Sequence, residues 1–196
     1  FNIQNTGASI FGRLFRLQVA SKGIYASCEA VPTVSYNDVP TTTSGCGSSP
    51  ACITSSTKFT NQSSIADLLS YPASLGFSVG QIIEDPSNQT SSSTVSQSFA
   101  TEVEYNFQMT GSATAPTYCF RSTNGGIEFD NYSKVAEVTM LHAPTIDSLV
   151  FNNAQNIILT EGATTTIYAT STVSDLNGYS DLVLATSTIY RSGVGV

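Results

Sequence analysis

Apolar and polar residues alternate along most of the chain, with the period of a β-strand rather than a helix. Phe15, Leu17 and Val19 share one face of residues 15–19, with Arg16 and Gln18 between them. Residues 101–109 repeat the pattern. Val103, Tyr105, Phe107 and Met109 are predicted to face a core, and Glu102, Glu104, Asn106 and Gln108 to face water. Residues 118–123 and 134–140 read as two further strands, separated by the turn Asn124-Gly125-Gly126 and the loop after it. One segment departs from this period. In residues 64–69, Ser64 is a candidate helix cap and Asp67 follows three positions on, as in a capping box, which predicts one or two helical turns. Residues 84–98 are polar and contain Pro86, and so predict a long loop or edge strand with little part in the core.

The character changes at Leu141-His142-Ala143-Pro144. Pro144 cannot donate to a ladder and biases its predecessor toward extended backbone, so a domain boundary is expected here. Beyond it, residues 146–151, 156–160, 164–173 and 182–190 are strand-like, with Asp175-Leu176-Asn177-Gly178 as a turn between the last two. The expected fold is all-β: a β-sandwich of immunoglobulin-like type over 1–142, then a second, incomplete immunoglobulin-like sandwich over 143–196. A complete domain of this kind has about seven strands over roughly 100 residues. Four strands fall short of that, so either more protein follows or a neighbouring subunit supplies the missing strands.

Composition narrows the function classes. Only 11% of the 196 residues are charged, against roughly 25% in typical soluble domains, and Ser, Thr, Asn and Gln supply the polarity instead. The net charge is −7 with seven Lys and Arg in all, too few to track a phosphate backbone, so nucleic acid is excluded as a partner. An acidic surface of this kind tolerates divalent cations. No apolar run approaches the 18 or so residues of a membrane-spanning helix. The sequence opens on Phe1 and is expected to start inside a mature or longer protein.

The four cysteines, Cys28, Cys46, Cys52 and Cys119, allow three pairings, and spacing alone does not choose among them. Cys46 and Cys52 flank the turn-forming stretch Gly-Ser-Ser-Pro-Ala, which favours Cys46–Cys52 and leaves Cys28–Cys119 to close a long loop. The rival zinc site lacks paired Cys-x-x-Cys spacing, and the single histidine, His142, is distant. Disulfides point to an oxidising compartment. Three sequons, at Asn61, Asn88 and Asn131, are candidate glycosylation sites, although such triplets also arise by chance in Ser/Thr-rich chains.

The strand Phe15-Arg16-Leu17-Gln18-Val19-Ala20-Ser21-Lys22-Gly23 followed by Cys28, then Tyr118-Cys119-Phe120-Arg121 with Asn124-Gly125-Gly126, and last Asp130-Asn131-Tyr132-Ser133 leading into Ala136-Glu137-Val138-Thr139, form a recognisable order. It resembles a β-sandwich module of very large surface proteins from candidate-phylum (Parcubacteria-type) bacteria. The second segment is similar to the immunoglobulin-like repeats that accompany that module. It carries Thr160 to Thr165 as Thr-Glu-Gly-Ala-Thr-Thr, the turn region around Asp175 to Asp181, and Ala185-Thr186-Ser187-Thr188-Ile189-Tyr190-Arg191-Ser192-Gly193. The resemblance implies a cell-surface location and tandem architecture. It also supports pairing Cys28 with Cys119, because members with two cysteines keep these two. The repeats usually place a cysteine where this chain has Tyr179, so any bridge there is lost or replaced. No catalytic residue carries over.

For chemistry, there is no Gly-x-Ser-x-Gly elbow, phosphate loop or dinucleotide fingerprint, and His142 lies at the expected hinge. Glu102 and Glu104 share the outer face of one strand, where solvated charge is the ordinary explanation, and Glu84-Asp85 precedes a proline in a loop. Asp175, Asn177 and Asp181 around Gly178 place hard oxygens in one turn and are candidate calcium ligands. An Asx-type turn accounts for the same residues by backbone preference. Tyr25, Tyr36, Tyr71 and Tyr132 could form a sugar platform in a chain without Trp, though tyrosines beside strands usually belong to the edge of the core. The expected function is a non-catalytic structural subunit of a surface layer, stalk or filament, with copies of itself or neighbouring surface domains as partners. The alternative is an adhesin or carbohydrate-binding module.

Overall fold

A computed structural model describes the chain except Leu176, Asn177, Tyr179, Ser180, Asp181, Val183 and residues 187–196. It is all-β. It divides into two compact units, Phe1–Thr139 and Met140–Val196. In the first unit the strands are β1 (Asn2–Asn5), β2 (Ile10–Arg13), β3 (Phe15–Ser21), β4 (Asn37–Asp38), β5 (Ala51–Ile53), β6 (Gly76–Ile83), β7 (Ser93–Val95), β8 (Phe99–Tyr105), β9 (Phe107–Met109), β10 (Thr117–Asn124) and β11 (Ala136–Thr139). They form a three-stranded sheet in the order β1-β8-β6, a four-stranded sheet in the order β11-β10-β3-β4, and the short ladders β2–β7 and β5–β9.

The longest antiparallel register joins β3 to β10, from Tyr118 opposite Ser21 to Asn124 opposite Phe15. Phe15, Leu17 and Val19 are all buried, as their alternation predicts. Gln18 and Ala20 on the other face are buried too, because this sheet is covered on both sides. One face meets the core of Ile3, Phe15, Ile83, Val95 and Val103, drawn from five strands. The other meets Cys28, Val31, Tyr36 and Cys119. Past β10 the chain reverses at Gly125 and Gly126, whose φ values of 58° and 92° suit the two-residue turn that the Asn-Gly-Gly sequence predicts.

Both disulfides form as Cys28–Cys119 and Cys46–Cys52, with sequence separations of 91 and 6. The longer one ties the segment after β3 to the middle of β10.

Four expectations are corrected. Residues 64–69 are not helical. Ser64 bridges Gln81, and the Ile65 N–H donates to the Gly80 carbonyl at 3.3 Å, so the segment runs extended beside β6. A helix of six residues has too few internal bonds to outweigh that pairing. Second, residues 101–109 are not one strand. At Asn106 the chain leaves β8 and enters the β5–β9 ladder, with the Asn106 side chain donating to Thr54 O at 2.7 Å. Third, Glu102 does not face water: it is 1% exposed, because the 64–69 segment covers the second face of β8. Its carboxylate accepts the Leu68 N–H (3.2 Å) and the Leu69 N–H (2.7 Å). Fourth, residues 84–98 do enter the core. Val95 is fully buried in β7, and the Thr90 hydroxyl oxygen accepts the Phe15 N–H at 2.9 Å.

In the second unit, β12 (Thr145–Phe151) pairs antiparallel with β13 (Ala169–Ser174). Residues 156–160 form no strand, and the expected strand 164–173 is realised only at its end, as β13. The strand expected over 182–190 lies largely outside the described residues.

Two stability outcomes follow from these contacts. Replacing Cys28 and Cys119 by Ala should cost about 4–5 kcal/mol, and replacing Cys46 and Cys52 about 2 kcal/mol, because the first pair closes the longer loop. Denaturant melts of the two double variants give this comparison. At Gly80, a Cβ would sit 1.6 Å from the Glu102 carbonyl oxygen, where the β6–β8 register shifts. Gly80→Ala should therefore lose about 3 kcal/mol in the same melts.

Candidate functional site

The most elaborate polar arrangement is built on Arg121, in the centre of β10. Its neighbours Phe120 and Ser122 are buried, and Arg121 itself is only 4% exposed. A charge this deep needs partners. The Nε and Nη2 groups donate to Gln18 Oε1 at 3.1 and 2.9 Å. Nη1 donates to Glu128 Oε2 at 3.2 Å, and the Thr33 hydroxyl donates to the same carboxylate oxygen. The guanidinium lies 4.0 Å from the Tyr36 ring centroid and 5.7 Å from that of Tyr132. The two hydroxyls are turned inward: Tyr36 donates to Cys28 O at 3.2 Å, and Tyr132 to Ser122 O at 2.8 Å. Gln18 also donates to Asp38 at 2.9 Å, and Asp38 pairs with Arg16 at 2.5 Å, which extends the network across β3.

Over this network lies a cleft of about 300 Å³, walled by Glu29, Val31, Thr33, Glu128, Phe129, Asp130, Asn131, Tyr132 and Val135. Cys28 also lines it, and the loop between β10 and β11 supplies the lining from Glu128 to Val135. Glu29 accepts the Val135 N–H at 3.2 Å; the bond from its own backbone N–H, and then this one, hold its carboxyl below the ordinary value.

The sequence-level candidates are dispersed. Tyr36 and Tyr132 meet at Arg121, whereas Tyr71 stacks on Phe77 with centroids 6.4 Å apart and donates to Asp67, and Tyr25 is 37% exposed in the segment after β3. The hydrogen bond to Asp67 pushes the Tyr71 hydroxyl up to about 12. Glu84, expected in a loop, is buried and accepts the Ser56 N–H at 2.9 Å. Glu104 is half-buried. Asp85 accepts from Thr43, which holds its carboxyl below the ordinary value. His142 lies in the second unit, beside Pro144.

Of the candidate calcium ligands, Asn177 and Asp181 lie outside the described residues, and Gly178 donates its N–H to Asp175 O at 3.2 Å with φ of 94°. Among the described residues no group of three His, Cys, Asp or Glu is placed to hold a metal. The sequons differ in setting. Asn61 is half-buried, donating to Ser87 at 2.8 Å and accepting the Glu84 N–H at 3.2 Å. Asn88 is half-buried, and the Thr90 of its sequon is sealed against Phe15. Asn131 is exposed on the rim of the cleft.

Sequence reasoning missed Arg121 as an organising residue. The available signal was a cation inside the otherwise buried run Tyr118-Cys119-Phe120, which requires planar acceptors and aromatic faces from elsewhere. Those partners, Gln18, Tyr36 and Glu128, come from three separate stretches of chain. Compared with family models, curated proteins and solved structures, the chain matches none.

Burial raises the hydroxyl pKa values of Tyr105, Tyr36 and Tyr132, so the fold holds these protons more tightly than the unfolded chain. Their stabilising contribution is complete below about pH 10, where unfolded tyrosine titrates, and is lost as the pH rises through the raised folded values. Tm measured against pH should therefore fall beyond about pH 9.5, above the rise that the half-buried Phe1 amino group, its pKa lowered by burial, contributes as the pH rises toward about 8. Tyr105→Phe should make that fall shallower.

Proposed function

We propose that this chain is a structural, non-catalytic subunit of an extracellular surface assembly, a surface layer, stalk or filament made of tandem immunoglobulin-like modules. The observation that carries this reading is the β12–β13 ladder. Ile146, Leu149, Val150 and Val173 on these two strands are 70%, 50%, 39% and 37% exposed. Among the described residues the ladder has two strands, which is marginal in water without a covering layer, and an open edge with apolar side chains favours pairing with another chain. The first unit supplies the complement, a body stapled by two disulfides with few charges, suited to an oxidising exterior. No helix among the described residues is long and apolar enough to cross a membrane.

A second reading, an adhesin or carbohydrate-binding module, is favoured by the polar cleft over Arg121.

Electron microscopy of native, unreduced material tests the first reading. Regular filaments or a lattice are expected. Leu149→Asp combined with Ile146→Asp should disperse them while leaving the melting of the first unit unchanged. Dispersed native monomers with an ordered second unit would overturn it.

A further inference from the structure

We propose that the cleft above Arg121 is a binding site for a neutral sugar residue, an inference that rests on the carbohydrate-binding reading and assigns it a place. The buried network leaves the cleft with a fixed floor. The two tyrosine hydroxyls spend their hydrogen bonds inward, Arg121 is held between Gln18 and Glu128, and the Tyr36 ring is covered by the guanidinium. What faces a ligand is a ring of polar groups at the mouth, in which Glu29 already accepts the Val135 N–H and one oxygen of Glu128 already accepts from Arg121 and Thr33. Glu29, Glu128 and Asp130 are exposed carboxylates there, with the Asn131 amide and the Thr33 hydroxyl between them. Asp130 and Asn131 tie down no part of the loop.

Carboxylates are strong acceptors for vicinal hydroxyls, and the amide adds a donor and an acceptor in one plane. Val31, Phe129 and Val135 give apolar contact for the C–H face of a ring. The cleft volume of about 300 Å³ is at the small end of ligand sites, which suits one sugar residue rather than an extended chain. Charge excludes anionic ligands. Three carboxylates stand against one guanidinium that is already paired with Glu128, so uronates and other anionic sugars are repelled.

Such a residue can reach the cleft from two sources, a polysaccharide outside the molecule or a glycan linked to the exposed Asn131 on the rim, and the test separates them.

The experiment is a titration of the full-length chain with glucose, galactose, mannose and N-acetylglucosamine, followed by amide NMR shifts. Glucuronate and lysine amide serve as anionic and cationic controls. Saturable shifts are expected at residues 28–33 and 128–135, with at least one neutral sugar binding in the millimolar range. Glucuronate should not bind. Asp130→Ala should weaken binding about tenfold without changing Tm, and Glu29→Gln should weaken binding to a similar extent. In parallel, wild type and variants are passed over neutral polysaccharide columns. Retention that the variants leave intact keeps the carbohydrate-binding reading and overturns this cleft as its site. The absence of both retention and saturable shifts overturns both, as does saturation by lysine amide alone. In protein secreted from a glycosylating host, shifts across the cleft at residues 28–33 that are already displaced and are restored by Asn131→Gln assign the sugar to the chain's own glycan, whereas displacement confined to the amides around Asn131 reports attachment alone and overturns that assignment. Free titration beside an occupied Asn131 assigns it to an outside polysaccharide. Either assignment supports the site.

Discussion

The ladder between β3 and β10 is the constraint on which the first unit depends. Its two strands meet over seven paired positions, and each is enclosed on both faces. One face fills the core through Phe15, Leu17, Val19 and Phe120, and the other receives the Cys28–Cys119 bridge and Tyr36. Most buried polar groups on the ladder are then satisfied within the protein, with Arg16 Nε an exception. Thr123 donates to Arg16 O, the Ser122 hydroxyl meets Tyr105 across the core, and Arg121 gathers Gln18 and Glu128. The polar network is a consequence of burying a sheet on two sides with a sequence that is not wholly apolar.

The same pressure explains the buried carboxylates. Glu102 on β8 and Glu84 just past β6 are each capped by backbone N–H groups of irregular segments, at 68–69 and at 56. Acid side chains here do the work that strand pairing does elsewhere: they take up donors from chain that has no ladder of its own. The long stretches between strands are thereby pinned. Asp85 treats the loop at Thr43 in the same way, and Asn61 holds the chain entering Glu84. Few charges are present, and most of those described are committed to such contacts, as with Arg16 to Asp38 and Lys22 to Glu137.

The two units differ in how fully they satisfy themselves. In Phe1–Thr139 each sheet has a core against it. In the second unit the described strands β12 and β13 keep their side chains almost entirely in solvent. Among the described residues, this contrast is the physical basis for the proposal that the second unit joins subunits.

Period-two alternation and turn chemistry are local properties, and they determined the all-β class, the strands around 15–19, 118–123 and 134–140, and the Asn-Gly-Gly reversal. The short disulfide was legible for the same reason, as its loop is a turn. What alternation cannot say is how many faces of a strand are covered. Glu102 looked solvent-facing and Val95 looked peripheral because their covering layers come from residues 64–69 and from β2, β3 and β8, distant in sequence. Likewise the capping signal at Ser64 was real as local chemistry but lost to pairing with Gln81. The cleft was least legible of all. Its floor and walls join Glu29 and Tyr36, Arg121, and the 128–135 loop, three stretches brought together only when β3 and β10 pair and the long disulfide closes.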